Sequence, residues 1–197
     1  MSKVFVSGKI IKKYKIPLDQ INELNIEYDS NKKTLLSKSD KLAGRLQSEL
    51  DVVNLIKTLP IMETIKKCMH DYIMSLNNFD LIDTPQKNLN ILSIWINDMQ
   101  PHEYNPPHTH HDKTGWSTVM FLKTPKFIDD TIHKHKFKDG SVGFAFHDNT
   151  TKYFEPVVGD FYIFEASHQH FVFPYKTNDK DPTRRSMSFN FVDTDVQ

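Results

Sequence analysis

The chain has 197 residues, with 25 Lys or Arg and 25 Asp or Glu, so its formal net charge is zero. This length suits one domain and allows a sizeable hydrophobic core. A single cysteine, Cys68, excludes a disulfide scaffold and a zinc site built on several cysteines. No apolar run reaches the roughly 18 residues of a membrane helix, and the balanced charge argues against broad electrostatic binding of nucleic acid. We therefore expect a cytoplasmic protein with no membrane contact.

Residues 1–90 carry helical patterns after one strand. Residues 3–11 are moderately β-branched and predict that strand. Pro17 opens a helix, because a proline in the first turn loses no hydrogen bond. A second helix is predicted from Asp40 until Pro60 ends it, and a third begins at Ile61. The apolar positions of the three helices recur at helical spacing: Ile21, Leu24 and Tyr28; Leu42, Leu46, Leu50 and Val53; Ile61, Ile65, Met69, Tyr72, Ile73 and Leu76.

Residues 91–192 follow a different pattern of short aromatic and β-branched runs separated by turn residues. Nine of the ten histidines and twelve of the fourteen phenylalanines follow residue 90. Short strands at this spacing predict an all-β sandwich or barrel, and the apolar faces of the helices would pack on its outside. The predicted fold is therefore α+β and mainly β. It forms one domain over residues 1–197, with a helical support region over 1–90 and a core over 91–192 that carries the chemistry.

Two histidine pairs lie in this second part, His108-x-His110 and His168-x-His170. In an extended chain, side chains two positions apart point to the same face, so each pair can project together. Two imidazoles from one strand and a third from a distant strand could hold a metal ion on one face and leave its other positions open. The alternative is that they are surface residues or satisfied core groups. The two pairs together favour a metal site.

The segment RRSMSFNF alternates between polar and apolar side chains. Arg184, Ser186, Ser188 and Asn190 share one face, whereas Met187, Phe189 and Phe191 take the other. A polar face of this kind suits the wall of an anion site, because the planar guanidinium binds a carboxylate through two hydrogen bonds. The alternative is that the arginines are exposed charges beside a sheet edge.

Four segments, WINDMQPHEYNPPHTH, STVMFLKTP, GDFYIFEASHQHFVFPY and RRSMSFNF, resemble the 2-oxoglutarate-dependent non-haem Fe(II) oxygenases. The resemblance is greatest to the oxygenases of this superfamily found in marine phages and bacteria. In that group an Asn-Pro-x-His-x-His strand precedes an apolar strand, and an Arg-x-Ser-x-Ser-x-Asn strand comes last. The resemblance implies a double-stranded β-helix, which is a cupin-like jelly-roll with the site inside.

The same resemblance implies roles for individual residues and three cofactors. Fe(II) would be held by His108, His110 and His170. Arg184 would bind the far carboxylate of 2-oxoglutarate, with Ser186 and Asn190 beside it, and O2 would complete the reaction. Independently of the resemblance, Trp95, Asn97 and Tyr104 are candidates for the mouth of the pocket, because they lie just before the first histidine pair.

One position departs from the family pattern. His110 stands where the superfamily usually has a carboxylate, so the metal would have three neutral ligands. Asp112 offers an alternative, because His110 and Asp112 also have His-x-Asp spacing. Asp112 precedes Lys113-Thr114-Gly115 and is expected in the turn, so it ranks second.

The resemblance implies a dioxygenase that hydroxylates a C–H bond and releases succinate and CO2. Its substrate could be a peptide, a nucleobase or a small metabolite, and a homodimer is compatible with the strand edges of such a fold. Two other functions stay open at this point: a cupin-type metalloprotein that does not use 2-oxoglutarate, and a non-catalytic jelly-roll that binds a ligand or builds an assembly. An Arg184 that faces the metal would distinguish the oxygenase from the cupin.

Overall fold

The structure is a computed structural model that describes residues 3–6, 9–38, 46, 48–78, 88–110, 115–128 and 139–194. The α-helices in these ranges are α1 (Leu18–Asn31), followed by a 3-10 turn over Lys32–Thr34, α2 (Val53–Ile56) and α3 (Ile61–Asn78). The strands are β1 (Lys3–Val6), β2 (Ile10–Lys15), β3 (Glu49–Asp51), β4 (Leu89–Met99), β5 (Asn105–His108), β6 (Trp116–Lys123), β7 (Val142–Ala145), β8 (Thr151–Phe154), β9 (Asp160–Glu165), β10 (His170–Val172) and β11 (Arg184–Asp193).

The strands form two antiparallel sheets. The larger sheet has the order β1-β2-β9-β6-β11-β4-β3, and the smaller has the order β5-β10-β7-β8. Aromatic side chains fill the space between them: Phe144 of the small sheet lies 4.8 Å from Phe164 of the large one, between ring centres. Because the inner faces of the two sheets pack on each other, the predicted jelly-roll is confirmed.

The helices cover the outer face of the large sheet, as predicted. Ile21, Leu24 and Tyr28 of α1 are fully buried there, and so is the apolar face of α3. One core cluster joins these helices to β2, β4, β6, β9 and β11. No helix in the described part of the chain has the length and apolar character needed to cross a membrane.

The helix predicted between Asp40 and Pro60 is wrong where the structure describes that segment. Glu49–Asp51 is a strand, and it pairs with β4 in the register Glu49↔Asn97 and Asp51↔Trp95. Leu50 still points into the helix-covered core, because a strand can bury this residue as well as a helix can. Backbone pairing with β4 outweighs local helix propensity, which is a weak preference. The region 1–90 therefore contributes three strands as well as helices.

Strand β11 lies near the middle of the large sheet, between β6 and β4. Its predicted alternation is confirmed. Met187, Phe189 and Phe191 enter the core under the helices. Arg184, Ser186, Ser188 and Asn190 line a cavity on the opposite face. The alternative that Arg184 and Arg185 are exposed charges beside a sheet edge is excluded, because both residues are buried.

Candidate active site

A cavity of about 560 Å³ lies between the two sheets. Its first wall consists of Ser93, Trp95 and Asn97 of β4 with Arg184, Ser186, Ser188 and Asn190 of β11. Its second wall consists of His108, Thr109, His110, Val142, His170 and Val172. Ser188 and Asn190 are half-buried, whereas Ser186 and Arg184 are buried. The cavity is therefore deepest at the Arg184 end of β11.

Three histidines converge on the second wall. His108 ends β5 and lies directly opposite His170, the first residue of β10, in an antiparallel register. One ring nitrogen of each of His108, His110 and His170 lies within 4.8 Å of the others. A metal–nitrogen bond is about 2.1 Å long, so small side-chain rotations would bring the three nitrogens onto one ion. In the described residues, this is the one cluster of His, Cys, Asp or Glu with that geometry.

Backbone contacts orient two of the three rings. His108 Nδ1 donates a hydrogen bond to the Pro106 carbonyl at 2.8 Å, and His170 Nδ1 donates to the His168 carbonyl at 2.9 Å. Nε2 of each ring is therefore deprotonated and directed away from these carbonyls, which is the usual arrangement of a metal-ligating histidine. Burial lowers the pKa of His108. Burial, and then the neighbouring His108, hold the pKa of His170 well below its usual range. Both rings are thus neutral, as metal ligands must be.

His110 is held from three sides. Its backbone N–H donates to the Ala166 carbonyl at 3.1 Å, which ties the chain after β5 to the end of β9. Its Nε2 lies 2.8 Å from Ser117 Oγ, and Asn190 Nδ2 donates to its Nδ1 at 3.2 Å. Asn190 was predicted to bind the cosubstrate, and here it contacts a histidine of the cluster. Ser117 was not anticipated, because nothing in its sequence context distinguishes it.

Arg184 is the largest fully buried side chain in the described structure, with 1% of its surface exposed. Its Nε donates to the Gly140 carbonyl at 2.8 Å, and Nη1 reaches Ser186 Oγ at 3.5 Å. Nη2 has no hydrogen-bond partner among the described residues. Burial lowers the pKa of Arg184 to about 10, so the group stays charged at neutral pH. A buried cation with an unpaired donor costs free energy unless an anionic ligand completes it.

The predicted pairing of His168 with His170 is wrong. His168 is fully buried, but it lies in the turn before β10, where side chains do not alternate as they do in a strand. Its Nε2 donates to the Ala145 carbonyl at 3.0 Å, and its ring packs on Phe146. Burial lowers its pKa to about 4. His168 is therefore a neutral core residue outside the cluster.

The remaining predicted residues divide into three groups. Trp95 and Asn97 line the cavity as expected, whereas Tyr104 is not among the lining residues. Asp112 lies outside the described residues. Glu49 and Lys38 line the cavity without having been anticipated, because the sequence predicted a helix around Glu49.

Residues 93–190, about half of the chain, match the family model described as "Putative 2OG-Fe(II) oxygenase". The chain belongs to the 2OG-Fe(II) oxygenases. As a member of this family it is an enzyme that uses Fe(II), 2-oxoglutarate and O2. No curated protein matches its sequence.

Solved structures of three hydroxylases have the same fold as this oxygenase. The Pseudomonas putida prolyl-4-hydroxylase superposes with a TM-score of 0.61 and 14% identity, over 92% of this chain and 91% of that one. The collagen prolyl hydroxylase of Paramecium Bursaria Chlorella virus-1, in its 2OG complex, gives 0.62 and 14%, over 93% and 96%. The Trichoplax adhaerens prolyl hydroxylase, in complex with a hypoxia inducible factor peptide fragment, gives 0.62 and 10%, over 94% and 84%.

The donor set of the cavity fits the cofactors of the family. Three imidazoles suit a divalent iron ion, and a charged Arg184 with an unpaired Nη2 suits the carboxylate of 2-oxoglutarate. The histidines and Arg184 line the same cavity, so one small dicarboxylate has access to both groups.

Proposed function

We propose that this oxygenase hydroxylates a C–H bond of its substrate while 2-oxoglutarate is converted to succinate and CO2. One observation carries the proposal. A cluster of three histidines and a buried arginine with an unpaired donor line opposite walls of one cavity. A metal site alone would not require the arginine, so this arrangement favours the oxygenase over a cupin that does not use 2-oxoglutarate.

His108, His110 and His170 are the proposed iron ligands. The proposal is supported by their 4.8 Å cluster and by the backbone carbonyls that fix the tautomers of His108 and His170. Ser117 and Asn190 would orient the His110 ring, which must exchange one of these contacts for the metal. The bound iron and 2-oxoglutarate supply the activation of O2.

Arg184 is the proposed anchor for the far carboxylate of 2-oxoglutarate, with Ser186 as a second donor. Its Nε is occupied by the Gly140 carbonyl and its Nη1 has a long contact with Ser186 Oγ, so Nη2 remains for the ligand. The Phe121 ring lies 4.9 Å from the guanidinium carbon and holds its plane. With one carboxylate held at Arg184, the keto-acid end would be free to reach the histidines, which line the same cavity. Phe164, Val142 and Val172 would exclude water from this part of the cavity.

A peptide is one proposed substrate class, because the structural neighbours include prolyl hydroxylases and one was solved with a peptide fragment. We also propose that residues 1–197 form one domain, in which residues 1–90 support the catalytic core. The pairing of β2 with β9 and of β3 with β4 supports that assignment.

The visible spectrum of the protein with Fe(II) and 2-oxoglutarate, without O2, tests the proposal. We expect a weak metal-to-ligand charge-transfer band that requires both additions. His108→Ala should lose the band together with iron binding, whereas Arg184→Met should bind iron but require far more 2-oxoglutarate. Iron binding without a band in the wild-type protein would contradict the proposal and favour the cupin-type alternative.

A further inference from the structure

The wall of the cavity extends beyond the cofactor site to the edge strand β3. Glu49 of β3 pairs with Asn97 of β4, and Asn97 pairs with Ser186 of β11. Directly paired residues of an antiparallel sheet point to the same face, and all three line the cavity. Neighbouring strands lie about 4.8 Å apart, so Glu49 is about 10 Å from the Ser186 position. The proposed cosubstrate site and Glu49 are therefore at separate places on one wall.

The carboxylate of Glu49 lacks the partner that a buried charge needs. Glu49 has only 7% of its surface exposed, and its carboxylate has no hydrogen bond and no ion pair within 4 Å among the described residues, although its backbone carbonyl accepts from the Lys38 N–H. The nearest cation, Lys38, instead pairs with Asp51 at 2.8 Å. Asn97 Oδ1, beside Glu49, is also buried with no partner in the described part of the chain. Two neighbouring acceptors thus face the cavity unpaired.

Burial of an unpaired carboxylate is costly, and here it raises the pKa of Glu49 to about 7, against a smaller opposing effect of Lys38. Near neutral pH the group is therefore ready to ionise when a cation arrives. Lys38 also lines the cavity, but its ammonium is paired with Asp51 at 2.8 Å rather than with Glu49, so the Glu49 carboxylate remains available to a second cation. The ligand that would satisfy both acceptors carries several N–H donors and a positive charge.

Trp95 provides an apolar surface next to these acceptors. It occupies the next position of β4 on the cavity face, and its ring centre lies 6.3 Å from that of His110. An aliphatic chain lying along Trp95 would connect a charged group at Glu49 with a C–H bond near the histidines.

We propose that Glu49 and Asn97 form a substrate subsite for a positively charged nitrogen group, an ammonium or a guanidinium, carried on an aliphatic chain. This inference rests on the proposed function, because it places the substrate between this subsite and the iron. A neutral hydroxyl or amide donor would use the same acceptors without the charge, and the experiment separates that case.

The test uses the full chain loaded with Zn(II), as a redox-inert metal, and 2-oxoglutarate. The probes are N-acetyl-lysine amide and N-acetyl-arginine amide, each compared with its neutral counterpart, the norleucine and citrulline amides. Tryptophan fluorescence reports binding, because Trp95 faces the cavity whereas Trp116 is buried in the core under the helices. We expect at least one charged probe to bind about tenfold more tightly than its counterpart, and the preferred probe distinguishes ammonium from guanidinium.

Three variants assign the preference to Glu49. Glu49→Gln should reduce the charged-to-neutral ratio to within about twofold, and Glu49→Asp should keep a clear preference for charge. Glu63→Gln, an exposed carboxylate on α3, is the matched control and should behave like the wild type. Equal binding of charged and neutral probes by the wild type, or an unchanged ratio in Glu49→Gln, would overturn the inference. Failure of the wild type to bind 2-oxoglutarate at the start would instead count against the proposed function.

Discussion

Arg184 and Arg185 are adjacent on β11, yet they face opposite sides of the large sheet. Toward the helices, Arg185 Nε donates to Asp98 at 2.6 Å, Nη2 donates to Asp29 at 2.7 Å, and Nη1 donates to Asn25 at 3.0 Å. Toward the cavity, Arg184 has one short hydrogen bond, to a backbone carbonyl, and an unpaired Nη2. The carboxylates of Asp98 and Asp29 raise the pKa of Arg185 despite its burial, whereas burial alone lowers that of Arg184.

The two arginines show that polar groups on the two faces of the large sheet have different roles. Those on the helix-covered face stabilise the fold, whereas those on the cavity face are available to a ligand. On the helix-covered face, charges are neutralised by the protein itself, and Lys32 adds a further pair with Asp98. On the cavity face, Arg184, Asn97, Asn190 and Glu49 retain unpaired polar groups within the described structure. Such groups reduce stability unless a ligand completes them, so the cavity face is organised for binding. Substitutions on the two faces should therefore affect different measurements.

The largest effect is expected from Arg185→Met. Removal of the guanidinium leaves Asp98, which is 2% exposed, with Lys32 as its remaining cation. The free energy of unfolding should fall by about 3 to 5 kcal/mol, as for other broken buried ion pairs. Denaturant unfolding measures this loss, and a change below about 1 kcal/mol would contradict the structural role of Arg185.

Arg184→Met should have the opposite profile. Its free energy of unfolding should stay within about 1 kcal/mol of the wild type, because the charge that is removed has no ionic partner. The affinity for 2-oxoglutarate should fall about 100-fold, or about 3 kcal/mol, because a buried charge-assisted contact is lost. Calorimetric titration in the presence of the metal measures the affinity. Equal losses of stability for the two arginine variants would remove the contrast between the faces.

Glu49 should make stability depend on pH. Its carboxyl group has a pKa of about 7 when folded and an ordinary value of 4.5 when unfolded. Between pH 4.5 and pH 7 the folded state binds more protons than the unfolded state. The contribution of Glu49 to stability is therefore complete below about pH 4.5 and is lost as the pH rises through 7. The loss should be on the order of 3 kcal/mol, because each of the roughly 2.5 pKa units between the two values corresponds to about 1.4 kcal/mol.

Glu49→Gln isolates this contribution from that of the buried histidines. Their lowered pKa values have the opposite effect, because a buried neutral histidine loses stability as the pH falls. The difference in unfolding free energy between wild type and Glu49→Gln should therefore change between pH 5 and pH 8. A constant difference would show that the Glu49 carboxyl is satisfied in the folded protein.

The smallest effect is expected from the contacts around His110. Ser117→Ala and Asn190→Ala should each weaken metal binding about tenfold, because they remove a hydrogen bond that orients a proposed ligand. Ser188→Ala provides a control on the same face of β11 and should bind the metal like the wild type. Competition with a fluorescent chelator measures the affinities, and equal values for all three variants would assign no positioning role to Ser117 and Asn190.

Structural features that follow from a fixed period in the sequence were predicted well. The alternation along β11 separated Arg184 and Ser186 from Met187 and Phe189, because a central strand keeps its period of two. The same rule placed His168 beside His170 incorrectly, because the chain turns between them. The partners of Arg185 could not be predicted: Asp98 and Asp29 are distant in sequence, and only the pairing of β11 with β4 and the docking of α1 bring them together.

The prediction of a helix around Glu49 was wrong for a related physical reason. Leu46, Leu50 and Val53 have helical spacing, but a three-residue strand needs only one inward apolar side chain, and Leu50 supplies it. Such a short segment carries too little pattern to distinguish a strand from a helix. The sequence therefore predicted the histidines and Arg184 that line the cavity, but it missed Glu49, Lys38 and Ser117, which line it as well.

Because β3 is the last strand of the large sheet, the sequence of the proposed substrate subsite can change independently of the residues proposed to bind iron and 2-oxoglutarate. The proposed iron and 2-oxoglutarate residues lie on β5, β10 and β11 or directly beside them, whereas β3 has only three residues, pairs with β4 and is bonded on its other side to residues 36–38. Exchange of this short strand would alter which molecules enter without disturbing the reaction that follows. Diversification of substrates among such enzymes is thus expected first at the periphery of the large sheet. Libraries aimed at new selectivity should randomise β3 and leave β11 intact.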